Sequence, residues 1–75
     1  MARIEILSEV TGRVWKIISV EQAEVAEGDT ILILESMKME IPIEAPCAGK
    51  VVEICVSEGE AVKEEQIVAF LDTMK

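Results

Sequence analysis

Histidine and tyrosine are absent from this 75-residue chain, and its only aromatics are Trp15 and Phe70. Without histidine no side chain has its ordinary titration near neutrality, and no cluster of residues reads as a nucleophile with its base. With so few aromatics the core has to be aliphatic, and the wealth of Val and Ile favours strands. Basic residues are scarce as well. Seven Lys and Arg against fifteen Asp and Glu give a net charge of −8, which repels phosphate backbones and anionic lipid surfaces and argues against nucleic acid and membrane as partners. No apolar run reaches the ~18 residues of a membrane span. The opening "MARIEILSEV" places Glu5 and Glu9 where a signal peptide would be apolar, so a cytoplasmic location is expected.

The two cysteines, Cys47 and Cys55, show no CxxC spacing and have no histidine with which to share a metal. Their apolar neighbours predict two small buried thiols. A chain this short is expected to form one domain spanning residues 1–75, monomeric in isolation and too small to enclose a large catalytic cleft.

What the chain does contain is a repeat. "GRVWKIISVEQAEVAEGDTILILESMK" from Gly12 lies without gaps over "GKVVEICVSEGEAVKEEQIVAFLDTMK" from Gly49, an offset of 37 residues, with nine identities in 27 positions. The apolar phase is preserved, which predicts two similar half-domains related by a pseudo-twofold axis. Strand signals recur in both halves: "RIEIL", "GRVWKII" and "TILIL" in the first, "EIPIE", "GKVVEICV" and "QIVAFL" in the second. Turns are marked by Gly28-Asp29, Pro46 with Gly49, and Glu58-Gly59. Helix-forming residues in "SVEQAEVAEGD" compete with this reading, but the equivalent segment carries Gly59 at its middle, where a helix would lose about 1 kcal/mol. The prediction is an all-β flattened barrel or sandwich of two four-stranded antiparallel sheets.

The repeat pairs Lys38 with Lys75, and at Lys38 the chain runs directly from one strand into the next. A tight hairpin with Lys38 exposed at its tip follows. Two-residue turns favour Asn, Asp or Gly, whereas "SMKM" has none of these and offers methionines to water, which points to a sequence set by function. Met37 has two readings, packing over the barrel end or standing free as a recognition residue, and Met39 is read chiefly as the latter. Glu35 and Glu40 are read as solvating the hairpin.

"ESMKM" at Glu35 to Met39 resembles the attachment motif of biotinyl domains, the biotin carboxyl carrier modules of biotin-dependent carboxylases. The stretch from Gly28 to Val62 follows the same family's pattern of Gly-Asp turn, strand, motif, Ala-Pro-x-x-Gly segment and Val-rich strand. The resemblance implies a sandwich with biotin attached by an amide to Lys38, and Met37 and Met39 as flanking recognition residues. It implies three protein partners: a biotin protein ligase that activates biotin as an acyl adenylate for attack by the lysine amine, a biotin carboxylase, and a carboxyltransferase. The carrier itself performs no catalysis.

Departures from the family pattern fall on turns. "SEVTG" at Ser8 to Gly12 replaces an Ala-Pro-like segment, and Gln22 and Glu65 stand where glycine is frequent. The gapless repeat leaves no room for an inserted thumb. The nearest alternative is a lipoyl domain, whose motif has Asp before the lysine and a small residue after it; another is an unmodified structural module of the same fold. Copper binding by Met37 and Met39 would lack a third ligand.

Overall fold

The computed structural model describes residues 2–73. The predicted equivalence of Lys38 and Lys75 therefore involves a residue outside the described region. Eight strands follow in order: β1 (Arg3–Leu7), β2 (Gly12–Ile17), β3 (Glu24–Val25), β4 (Thr30–Ser36), β5 (Met39–Glu44), β6 (Gly49–Ile54), β7 (Ala61–Val62) and β8 (Ile67–Thr73). They form two four-stranded antiparallel sheets, β1-β8-β6-β3 and β5-β4-β2-β7. No helix occurs among the described residues. The segment that competed for helix instead holds the two-residue strand β3 between turns, as its counterpart holds β7.

The pseudo-twofold predicted from the repeat is present bond by bond. Adding 37 to each residue carries β1 onto β5, β2 onto β6, β3 onto β7 and β4 onto β8, so one sheet maps onto the other. Hydrogen bonds between the halves are exchanged in the same way. Ile17 N donates to Glu58 Oε2 at 3.0 Å, and Ile54 N donates to Glu21 Oε2 at 3.1 Å. Val14 N donates to the Glu60 carbonyl, and Val51 N donates to that of Ala23. Even the bulges correspond, with register shifts at Val14/Lys16 and at Val51/Glu53.

Two glycines sit where these strands cross most closely. A Cβ at Gly12 would come within 2.6 Å of the Glu35 carbonyl oxygen, and one at Gly49 would come closer still to that of Asp72. These contacts with backbone explain why both halves begin their second strand on glycine. The left-handed turns divide differently: Gly59 and Gly28 have φ of 89°, while their equivalents Gln22 and Glu65 have φ of 73° and 69°. Glycine is thus replaced at one of each pair without loss of the turn, although an L residue there carries a steric penalty.

The core is aliphatic, as expected from the dearth of aromatics, and draws on both halves: Ile31, Leu32 and Leu34 from β4 meet Val68 and Leu71 from β8, with Val14 and Val51 between them. Phe70 is half-buried. Trp15 is 49% exposed, because it lies at the bulge in β2 and is pushed out of the ladder. Ser8, buried at the position equivalent to Ala45, has its hydroxyl bonded to the Val10 carbonyl at 2.5 Å. The thiols do not both follow the expectation. Cys47 is half-buried against the core, but Cys55 is exposed. The reason is positional: Cys55 follows the end of β6 as Ile18 follows β2, both donate N–H to the opposite strand, and both point outward.

Candidate functional site: an exposed lysine on a two-residue turn

β4 and β5 pair down to Ser36 opposite Met39, leaving only Met37 and Lys38 to reverse the chain. A two-residue connection matches the right-handed twist of its strands when both central residues have positive φ. Met37 and Lys38 do so, at 51° and 66°. Neither residue is suited to this region, where an L side chain is disfavoured by about 1–2 kcal/mol. The expectation of a hairpin with unfavourable turn chemistry is met in full.

The turn presents rather than buries its side chains. Lys38 is exposed, Met37 is 88% exposed and Met39 is 58% exposed. Met37 therefore does not pack over the barrel end. Two unbranched thioethers on either side of an amine form an adaptable apolar surface of the kind a protein partner can mould around.

Below the tip the hairpin is anchored. Ser36 Oγ donates to the Thr11 carbonyl at 2.9 Å, tying the end of β4 to the loop before β2. Glu35 and Glu40 lie directly opposite each other, an arrangement that like charges disfavour. A groove of about 550 Å³ opens beside the turn, lined by Thr11, Gly12, Arg13, Glu35, Ser36, Met37, Lys38 and Ala61. Arg13 spans it, with Nη1 donating to the Gly59 carbonyl at 3.1 Å. Sequence reasoning found Met37, Lys38 and Met39 but missed Arg13 and Thr11 as neighbours; the alignment of Arg13 with Lys50 was the available signal.

No group of three or more possible ligands that could hold a metal ion occurs among the described residues. The turn sets two consecutive non-glycine residues at positive φ, and it offers a primary amine clear of the body. Fold and tip together define a small β domain that displays a lysine on a two-residue hairpin.

Comparison with known proteins gives the family. The model described as "Biotin-requiring enzyme" matches residues 5–71, and the chain belongs to this biotin/lipoyl attachment family, whose biotinyl members take biotin as their cofactor. It is 33% identical over 67 residues to the biotinylated protein TB7.3 homolog of Mycobacterium leprae, covering 89% of this chain and 94% of that protein. It is 39% identical over 69 residues to urea amidolyase of Saccharomyces cerevisiae, covering 92% of this chain but only 4% of the yeast protein. Among solved structures, Kluyveromyces lactis urea carboxylase superposes with a TM-score of 0.91 at 33% identity, over 96% of this chain and 6% of the other. The chain therefore matches nearly the whole of one small relative and a minor part of much larger ones.

The local geometry accepts a biotinyl group. Both methionines stand away from the core, the amine is exposed, and the groove leaves one side of the turn open.

Proposed function

We propose that Lys38 carries biotin on its Nζ and that the domain is a non-catalytic carrier, presenting the cofactor in turn to a biotin carboxylase and a carboxyltransferase after loading by a biotin protein ligase. The observation that carries this reading is the Met37-Lys38 turn, whose two left-handed residues hold one exposed amine at the tip of a rigid hairpin. Lys38 Nζ gives up its proton and attacks the carbonyl of the biotinyl adenylate made by the ligase; the amide forms as the acyl–phosphate bond breaks and AMP leaves, and one positive charge is removed. Biotin, when bound, supplies a ring nitrogen that can take up and release a carboxyl group. The hairpin contributes a fixed origin for the arm, so that the reactive group is kept at high effective concentration at whichever site the domain visits. Met37 and Met39 serve as contacts for the partner enzymes. The exposed free thiol of Cys55 favours a reducing, cytoplasmic setting.

Intact mass spectrometry after co-expression with a biotin ligase tests the assignment. One biotin on the wild type and none on Lys38→Arg is the expected result. An unmodified wild type, a lipoyl-sized addition, or biotin retained on Lys38→Arg would overturn it. Replacing Met37 and Met39 with leucine is expected to preserve the melting temperature while slowing biotinylation or carboxyl transfer; unchanged rates in both assays would remove their recognition role.

A further inference from the structure

The pseudo-twofold supplies a control for the groove beside Lys38. On the outer face of one sheet, one residue per strand forms the row Arg3, Asp72, Lys50, Glu24, each facing the next in register. Its charges alternate along the whole row. The equivalent row near the attachment turn is Glu40, Glu35, Arg13, Ala61. Here two carboxylates abut and the far neighbour of the cation is a methyl group. Directly opposed residues on paired strands project to the same side, and Val14, Leu34 and Val62 beside them are buried, so Glu35, Arg13 and Ala61 share the outer surface. All three line the groove that Lys38 also lines.

We propose that this uncompensated row is a seat for the bicyclic ring of the domain's own biotin, an inference that rests on Lys38 being the attachment residue. The ureido part of the ring has a carbonyl acceptor flanked by N–H donors. Arg13, with one N–H engaged by Gly59, retains donors for the carbonyl, and Glu35 next to it accepts from an N–H. The small side chain of Ala61 leaves room for the apolar face of the ring, where the equivalent residue in the other half is Glu24. Glu35 lies one residue before the end of β4 and three before Lys38, so the two are at most about 10 Å apart even at full extension of the chain. The lysine side chain and the acyl chain of biotin together exceed that distance, so the arm reaches the seat by folding back over Ser36.

The test uses the biotinylated wild type, Arg13→Ala, and Ala61→Glu, which rebuilds the compensated row of the other half. Intact mass first establishes one biotin per chain; failure of the wild type there is a failure of the carrier reading, not of the seat. NMR then compares the biotinylated wild type with a form acetylated at Lys38, which has lost the same charge. The expected result is amide shift changes at Gly12, Arg13 and Ala61 and cross-relaxation between ring protons and the Ala61 methyl, seen only with biotin. Both variants should lose these signals, and their capture by an avidin probe should be several-fold faster than that of the wild type. Wild-type shift changes confined to Met37, Lys38 and Met39, with a freely tumbling ring, would overturn the proposal, as would equal capture rates for all three proteins.

Discussion

The two ends of this molecule are built from equivalent strands and end differently. At one end β4 and β5 are joined through Met37 and Lys38; at the other, β8 and β1 meet through space, with Thr73 N donating to the Ala2 carbonyl at 2.8 Å and Ala2 N donating to Thr73 Oγ1 at 3.1 Å. Ser36 opposite Met39 corresponds to Thr73 opposite Ala2. The same backbone pairing is thus reached once with a strained two-residue turn and once without any turn at all. The Met37-Lys38 turn is therefore a property of one half and not of the fold. The fold supplies the position, and local departures from symmetry distinguish the tip.

Substitutions at equivalent positions should separate what the halves share from what they do not. The largest effect is expected for Leu34→Ala and Leu71→Ala, equivalent and fully buried. Each should destabilise by about 2–5 kcal/mol, the range for truncating a core leucine. Similar losses in chemical denaturation would show that the halves share one core, and a several-fold disparity would show that one half dominates it.

Gly12→Ala and Gly49→Ala should each cost about 1–3 kcal/mol through overpacking. The loss at Gly49 should be the greater, because its added methyl would press closer to Asp72 than that at Gly12 to Glu35. Thermal melts of the two variants measure the order directly, and the reverse order would contradict the crossing geometry.

The left-handed turns allow exchange in both directions. Gln22→Gly and Glu65→Gly should stabilise by about 0.5–1 kcal/mol, relief of the left-handed strain outweighing the added freedom of glycine in the unfolded chain. Gly59→Gln and Gly28→Glu should lose a similar amount, since open space surrounds both glycines and only the backbone resists. Denaturation midpoints of the four variants provide the check.

The smallest effect concerns Cys55. Although the residue is exposed, slight desolvation raises its thiol above the ordinary range, and the charges of Glu53 and Glu21 push it further in the same direction. Because the folded chain holds this proton more tightly than the unfolded one, stability should fall slightly as pH rises through the thiol range. Alkylation by iodoacetamide should still be accelerating at a pH where an ordinary thiol has levelled off, and Glu53→Gln should move the profile downward. A profile indistinguishable from that of a free cysteine peptide would discount the two carboxylates.

Much of the architecture could be read from the residues. "RIEIL" alternates clearly, and β1 occupies those residues; the 37-residue offset anticipated an axis that the reciprocal bonds of Glu21 and Glu58 now display. Strands β3 and β7 were not placed in advance, since two residues carry no periodicity. Trp15 could not be assigned to the surface, because a bulge breaks the alternation on which such an assignment depends. Cys55 was misjudged by its apolar neighbours, of which Val56 is buried while Cys55 itself points outward. Lys38 was legible from a local motif, whereas Glu35, Arg13 and Ala61 come together only through pairing of three strands distant in sequence.

The antiparallel contact between β1 and β8 also has a mechanical meaning. Arg3 faces Asp72 at the end where residues 2 and 73 meet, and the ladder runs from there to Leu7 opposite Ile67. Tension applied between residues 2 and 73 would not shear these strands past each other. It would peel them apart one rung at a time, a weak mode of resistance, beginning at the end remote from Lys38 and reaching the Met37-Lys38 hairpin last.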